Sequence, residues 1–436
     1  MLRNRRIKVK ETGMNHFMSA IENKIGPVAE KLSENRYLKA VNAGFMSSMP
    51  LVIVGSFFLL LCNIPINGYS QFMGSVFGEH WSSYLLKVFH ATMDCITLFV
   101  IVGCSSGLAK QYKLDQVSAT GISLASFLIL TVFSEGTLAV SDLGAGALFM
   151  GLFVSILSVE ITRLVRAKNW VIKLPASVPE NIANSFSALI PALVVFLVFN
   201  GVRIVFELTS YGSFGSFVFA IVQYPLMKLG SSIWAIVIFI FAEMLMWSFG
   251  IHGSSVVGAV TTAFLTALTA ENAAAVAAGQ LPSNIINTQF LANFVRLGGA
   301  GATLGLVILM FFAKSKQYRS LGRLAIGPIA FQINEPVIFG FPLVLNPMMM
   351  IPFIVGPILI AITCYIAFSV GLVPVINGAN IPWTTPPLVS GWLLCGFRGF
   401  LLQLFCLGET MIVWYPFFKI SDNKAVELER EGEPEE

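Results

Sequence analysis

Apolar runs of bilayer-spanning length, set apart by short polar loops, dominate this chain. A helix needs about 20 apolar residues to cross a bilayer, and ten such stretches are predicted between residues 43 and 418. In the first half they cover residues 43–64, 85–108 and 117–133, a stretch ending near Ile161, and residues 186–206. In the second half they cover residues 233–249, 256–270, 296–313, 345–370 and 391–418. The helix over 256–270 is built of small residues, a weak span alone but suited to close packing inside a bundle. Gly301 and Gly305 give the next stretch a similar small-residue spacing.

Two intervals break the pattern. Residues 271–294 are free of Lys and Arg, rich in Asn and only weakly apolar, with Pro282 in the middle. They read as a re-entrant hairpin entering from outside. The segment around Asn334-Glu335-Pro336 reads as a second hairpin, entering from the cytoplasm, because proline disfavours helical geometry in the residue before it. Hairpins entering from opposite faces fit an inverted repeat that holds a substrate near the midplane. Upstream, Phe17, Ile21, Ile25, Val28 and Leu32 recur at helical spacing and predict an amphipathic helix on the membrane surface. The Gly/Ser-rich stretch 209–216 divides the chain into residues 1–212, a surface helix and five spans, and residues 213–436, five spans, two hairpins and an acidic tail. The fold class is therefore an all-α polytopic membrane protein with about ten transmembrane helices.

Composition and charge narrow the class and set the orientation. Of 436 residues, 56% are hydrophobic and 11% charged, with a mean hydropathy of +0.78; a soluble domain carries roughly 25% charged residues. The net charge of +4 does not point to nucleic acid, since the basic residues gather in short loops. Nine Lys or Arg residues precede position 40, which puts the N-terminus in the cytoplasm. Loops 65–84, 134–146 and 371–390 lack Lys and Arg, whereas Lys110, Arg163, Lys173, Lys314 and Arg323 lie in loops on the opposite side. Ten spans with both termini cytoplasmic satisfy every loop. No cleavable signal peptide is visible, and because Met14 would serve equally as a start, residues 1–13 read as a leader or an early start. The six cysteines lie in apolar segments without a CxxC pair, so neither a disulfide framework nor a metal site is expected. No phosphate-binding GxxxxGK[ST] loop is present, and no cofactor is expected.

Polar groups inside apolar sequence are the candidate chemistry, because a charge at membrane depth is costly unless it serves a site or a partner. Asn334 and Glu335 stand side by side ahead of Pro336. Trp247 and His252 flank Phe249-Gly250-Ile251, with Gly253 next. On an ideal helix they would lie roughly 140° apart, but the glycines let the backbone unwind so that ring and imidazole face one cavity. Asn380, Pro382, Trp383 and Thr384 form a third cluster. Trp383 fits two uses, a stacking face for a sugar ring or a membrane-interface anchor. Asn284, Asn287 and Gln289 offer further amides, whose alternative use is turn chemistry. His90 and Asp94, four apart, share a helix face and can pair. Glu243, Arg203, Glu207, Arg296, Arg398 and Glu409 lie at or near span ends, where ion pairing is the default.

At these residues the chain resembles the membrane-embedded, sugar-translocating IIC component of the bacterial phosphoenolpyruvate-dependent phosphotransferase system, lactose/cellobiose type. The resemblance runs over essentially everything after Met14. It rests on Phe249-Gly250-Ile251-His252-Gly253, on Asn334-Glu335-Pro336-Val337-Ile338-Phe339-Gly340 and on Pro382-Trp383-Thr384-Thr385-Pro386. Within the family it resembles transporters of diacetylchitobiose and cellobiose. The resemblance implies a homodimer in the bacterial cytoplasmic membrane, formed through the N-terminal half, with a disaccharide held between the hairpins of the C-terminal half. It implies a separate cytoplasmic IIB protein, served by IIA, whose phosphocysteine phosphorylates the sugar 6-hydroxyl. Glu335 and His252 match the positions expected to hold that hydroxyl, with Glu335 able to help take its proton. The resemblance also implies sugar contacts from Trp247, Gly253, Asn284, Asn287, Asn334, Asn380 and Trp383. A proton- or sodium-coupled sugar carrier using Glu243 is the rival reading. An intramembrane enzyme pairing Glu335 with Glu243 is the third.

Overall fold

The computed structural model describes residue 31 and residues 34–431, apart from 63, 65, 67, 135–136 and 176–177. The surface helix predicted over residues 17–32 falls outside them except at residue 31, and residues 432–436 of the tail lie outside as well.

Helices begin where a side chain takes up the first unpaired amides. Helix α1 (Arg36–Cys62) follows Asn35, whose Oδ1 accepts from the amides of Tyr37 and Leu38 at 2.9 and 3.1 Å. Next come α2 (Tyr69–Phe77), α3 (Trp81–Thr92) and α4 (Ile96–Gln111). Helix α5 (Gln116–Leu130) is capped by Asp115, which accepts from the Ser118 amide at 2.7 Å. A hairpin of two-residue strands, Phe133–Ser134 with Thr137–Leu138, precedes α6 (Leu148–Ala167), α7 (Glu180–Ser187) and α8 (Leu189–Glu207). That hairpin is the only sheet among the described residues.

Small residues let the first helices touch. A Cβ at Gly103 would fall 1.8 Å from Ser47 Oγ, so α4 lies directly on α1. Hydroxyls in this apolar bundle are satisfied by their own helix carbonyls, Ser105 on Ile101 at 2.6 Å and Ser126 on Ile122 at 2.7 Å. The hydroxyls of Ser123 and Ser158, 2.5 Å apart, join α5 to α6.

Bends govern the second half. Helices α9 (Phe214–Val218) and α10 (Tyr224–Gly230), linked by a π turn, form a run bent 77° from α11 (Ile233–Ser248). Helix α12 (Gly253–Ala277) follows, and the irregular run Phe290–Ala302 is bent 56° from α13 (Leu304–Phe311). Helices α14 (Lys316–Ala330), α15 (Glu335–Gly340), α16 (Pro347–Ser369) and α17 (Val389–Glu431) complete the chain. Among the described residues, seven helices are long and apolar enough to cross a membrane, or nine if each bent pair is one span. The third predicted span is the apolar but shorter Gln116–Leu130. Helix length thus supports seven to nine spans, against the ten expected from loop charge.

Three predicted segments change for local reasons. Residues 271–277 continue α12 instead of opening a hairpin, because the run is Ala-rich and meets no breaker before Gly279 at φ 73°. The span expected over 296–313 is broken, since Gly298, Gly299 and Gly301 hold φ of 79°, 88° and 75°, incompatible with a right-handed helix. The tail stays helical to Glu431, where its carboxylates find partners. Asp422 accepts from the amides of Lys314 and Ser315 at 2.8 and 2.9 Å, and Glu429 from those of Lys316 and Gln317 at 3.0 and 2.8 Å. The unpaired amides at the start of α14 are satisfied by two anions on a neighbouring helix.

Candidate functional site

The turn joining α11 to α12 presents the first motif. Gly250 takes φ 76° and reverses the chain, and Leu345 donates its amide to Ser248 O at 2.8 Å, docking the segment after α15 against this turn. At Gly253 a Cβ would lie 2.1 Å from the Glu243 carbonyl, so only glycine lets α12 start this close to α11. The rings of Trp247 and His252 meet with centroids 4.4 Å apart. His252 Nδ1 lies 2.8 Å from Ser255 Oγ and accepts from the Ser255 amide at 3.2 Å. The indole Nε1 of the buried Trp247 donates to Ser254 Oγ at 3.2 Å, and Ser254 donates to Glu243 Oε1 at 2.5 Å.

The irregular segment from Asn287 to Thr303 is the hub on which the other motifs dock. Gln289 donates to Asn380 Oδ1 and, at 3.3 Å, to the Ile381 carbonyl, while its own Oε1 accepts from Asn293 at 2.6 Å. Gln332 donates to Asn293 Oδ1 at 3.2 Å, to the Trp383 carbonyl and to the Thr385 carbonyl at 3.3 Å. Asn334 donates to the Ala300 carbonyl at 2.6 Å and to Thr303 Oγ1 at 2.7 Å. From α17, Gln403 donates to the Asn293 carbonyl at 2.7 Å. Arg296 Nη2 pairs with Glu243 Oε2 at 2.5 Å, which ties the first motif to the same segment. A buried amide is costly unless bonded, and these amides are bonded to one another and to backbone.

The predicted residues thereby divide into two groups. Trp247, Gly253, Asn287 and Asn334 are buried. Asn287 accepts from the amides of Gln289 and Phe290, both at 3.0 Å, and donates to the Asn284 carbonyl at 3.1 Å. Asn284 is bonded to Asn272 Oδ1 through its amide at 2.9 Å and to Glu271 through its side chain at 2.9 Å. His252, Glu335 and Trp383 are exposed, Trp383 at 46%. Asn380 is half-buried and spends its carbonyl oxygen on Gln289. Glu335 makes no hydrogen bond or ion pair among the described residues.

Sequence reasoning missed the pairing of Glu243 with Arg296 and the framework roles of Asn293, Gln332 and Gln403. Their one signal was an amide or charge inside an apolar stretch. The expected pairing of His90 with Asp94 is present at 2.7 Å. Two cavities, of about 300 and 320 Å³, lie in other parts of the molecule, around Leu130, Thr131, Val132 and Ser213.

Comparison with known proteins covers nearly the whole chain. The family described as Phosphotransferase system, EIIC matches residues 42–357. The chain is 39% identical over 441 residues to the PTS system cellobiose-specific EIIC component of Geobacillus stearothermophilus, with 97% of each chain covered. It is 37% identical over 437 residues to the lichenan permease IIC component of Bacillus subtilis (strain 168), covering 96% of this chain and 97% of that one. The crystal structure of the transporter ChbC, the IIC component from the N,N'-diacetylchitobiose-specific phosphotransferase system, matches with a TM-score of 0.91 at 38% identity, covering 95% of this chain and 99% of that chain.

Proposed function

The chain belongs to the phosphotransferase system EIIC family of multi-pass membrane proteins, and from that premise we propose that it carries a β-linked disaccharide across the cytoplasmic membrane and presents the sugar 6-hydroxyl to a phosphorylated partner. The substrate class follows the cellobiose, lichenan and diacetylchitobiose in the names of its relatives. The observation that carries the reading is the division of labour within the motifs. Framework amides are spent on one another and on backbone, while His252, Glu335 and Trp383 are held by that framework with their side chains exposed.

In this reading Glu335 accepts a hydrogen bond from the 6-hydroxyl and orients its oxygen toward phosphorus. As that oxygen attacks the phosphocysteine of a cytoplasmic IIB protein, the S–P bond breaks, the thiolate leaves, and Glu335 takes the hydroxyl proton. His252 donates to the same oxygen, Trp383 stacks on a sugar ring, and Asn380 offers its NH2 to a hydroxyl. Asn284, Asn287 and Asn334 shape the site as parts of its frame. Residues 1–212 form the homodimer and residues 213–436 the transport unit, with both termini cytoplasmic. IIA serves as the upstream phosphate source, and membrane lipid contacts the dimer.

Sealed vesicles test this. Uptake of cellobiose or diacetylchitobiose that requires a phosphorylated IIB protein and yields sugar phosphate is the expected result. Uptake of unmodified sugar that collapses with a proton or sodium gradient would establish the ion-coupled carrier instead.

A further inference from the structure

We infer that the ion pair of the buried Glu243 with the half-buried Arg296 is a positioning device that keeps the His252 turn and the Glu335 turn in one frame; this rests on the sugar site proposed above. Glu243 is 1% exposed on α11, and its two oxygens serve two directions. Oε1 accepts from Ser254, which holds the Trp247 indole against the His252 ring. Oε2 accepts from Arg296, at 2.5 Å, in the segment whose Ala300 carbonyl and Thr303 hydroxyl hold Asn334, the residue just before Glu335. One carboxylate therefore joins a polar route from α11 to His252 with a polar route from the hub to Glu335. Among the described residues Arg296 Nε is buried without a partner and Glu243 is the one side chain that anchors the guanidinium.

Stability is a poor account of such a pair. Desolvating two charges offsets much of their attraction, and apolar replacements of similar volume often fold as well or better. A carboxylate supplies what apolar packing does not, two acceptor oxygens fixed about 2 Å apart that bind donors from separate elements. The close approach at Gly253 leaves the turn no slack to absorb a shift at Glu243. With both oxygens committed, Glu243 is a positioning residue and not a proton carrier.

The test replaces both charges together, Glu243→Gln with Arg296→Met, so that neither is left buried alone. Amide hydrogen exchange over residues 249–256 and the affinity for cellobiose and diacetylchitobiose are measured on the full-length purified protein. The expected result is an unchanged melting midpoint, exchange at least tenfold faster in the turn, and at least tenfold weaker binding of whichever disaccharide the native protein binds. Exchange or binding within twofold of native overturns the inference. If the double variant does not fold, Arg296→Lys, which keeps the charge but not the planar fork, is judged by the same criteria. If the native protein binds neither sugar, the site proposed above falls, and the exchange measurement alone decides whether the pair fixes the turn.

Discussion

Asn334 and Glu335 are neighbours in the chain with opposite fates. Asn334 is buried and bonds the hub, whereas the Glu335 side chain is exposed and unbonded among the described residues. Their substitutions should therefore separate. Asn334→Ala leaves the Ala300 carbonyl and Thr303 hydroxyl without their donor, a loss of about 1–3 kcal/mol that should lower the melting midpoint of the purified protein. Glu335→Gln keeps shape and should leave that midpoint unchanged while slowing sugar-phosphate formation by about 10²–10⁴-fold, the usual contribution of a positioned acid or base. Full-rate phosphorylation by Glu335→Gln would remove Glu335 from its proposed role. The sequence made both residues conspicuous, since each is polar in apolar surroundings. It could not tell them apart, because the difference lies in Gly299, where a Cβ would sit 2.6 Å from Asn334 and which comes from 35 residues upstream. The imidazole and ring at 252 and 383 were legible for the same reason as Glu335, and the hub amides Asn293 and Gln403 were not, since the partners that tie them to other elements, Gln332 for Asn293 and the Asn293 carbonyl for Gln403, lie 39 and 110 residues away.

Among the helices, hydropathy placed the spans well but not their bends. Residues 233–249 read as a span and form α11, yet the break at Ser231–Ser232 and the 77° bend are set by packing, where the Gly230 Cα closes on the ring of Phe264. The sequence showed the tail only as acidic, with no partner for its carboxylates. In the fold, Asp422 and Glu429, seven residues apart on one face of α17, reach the start of α14. Charge pattern alone does not reveal a partner helix more than 100 residues away. The contact carries its own prediction. Asp422→Ala strips the charged acceptor from the amides of Lys314 and Ser315, a capping loss of about 1 kcal/mol. Tryptic cleavage within residues 314–323 should then run severalfold faster in protein that otherwise keeps its fold, because proteolysis follows local opening. Cleavage at the native rate would mean that Asp422 does not hold the start of α14.

At the scale of the whole molecule, the two proposed units meet along a seam where α12 packs on α1 and a polar contact lies beside open space. Gln223, 1% exposed, reaches from the π turn after α9 and donates to the Ala145 carbonyl at 3.0 Å. Beside it, a cavity of about 320 Å³ is lined by Thr131, Asp142 and Met150 from one unit and by Ser213, Ser216 and Phe219 from the other. A dense interior transmits strain but does not slide, so unfilled volume at a boundary is where relative motion costs least. If residues 213–436 move against a fixed N-terminal unit during transport, a covalent bridge across this seam must stop the cycle without harming the site. Cysteines at positions 145 and 223, in a background with Cys62 and Cys95 replaced by serine, allow bridging by a short, cleavable bifunctional thiol reagent. Vesicle uptake should fall at least tenfold on bridging and recover when the reagent is cleaved, while disaccharide affinity in detergent stays within threefold. Uptake that persists through complete bridging would show that the seam is static, and the moving boundary would then have to lie inside the C-terminal half, between the hub and the helices that surround it.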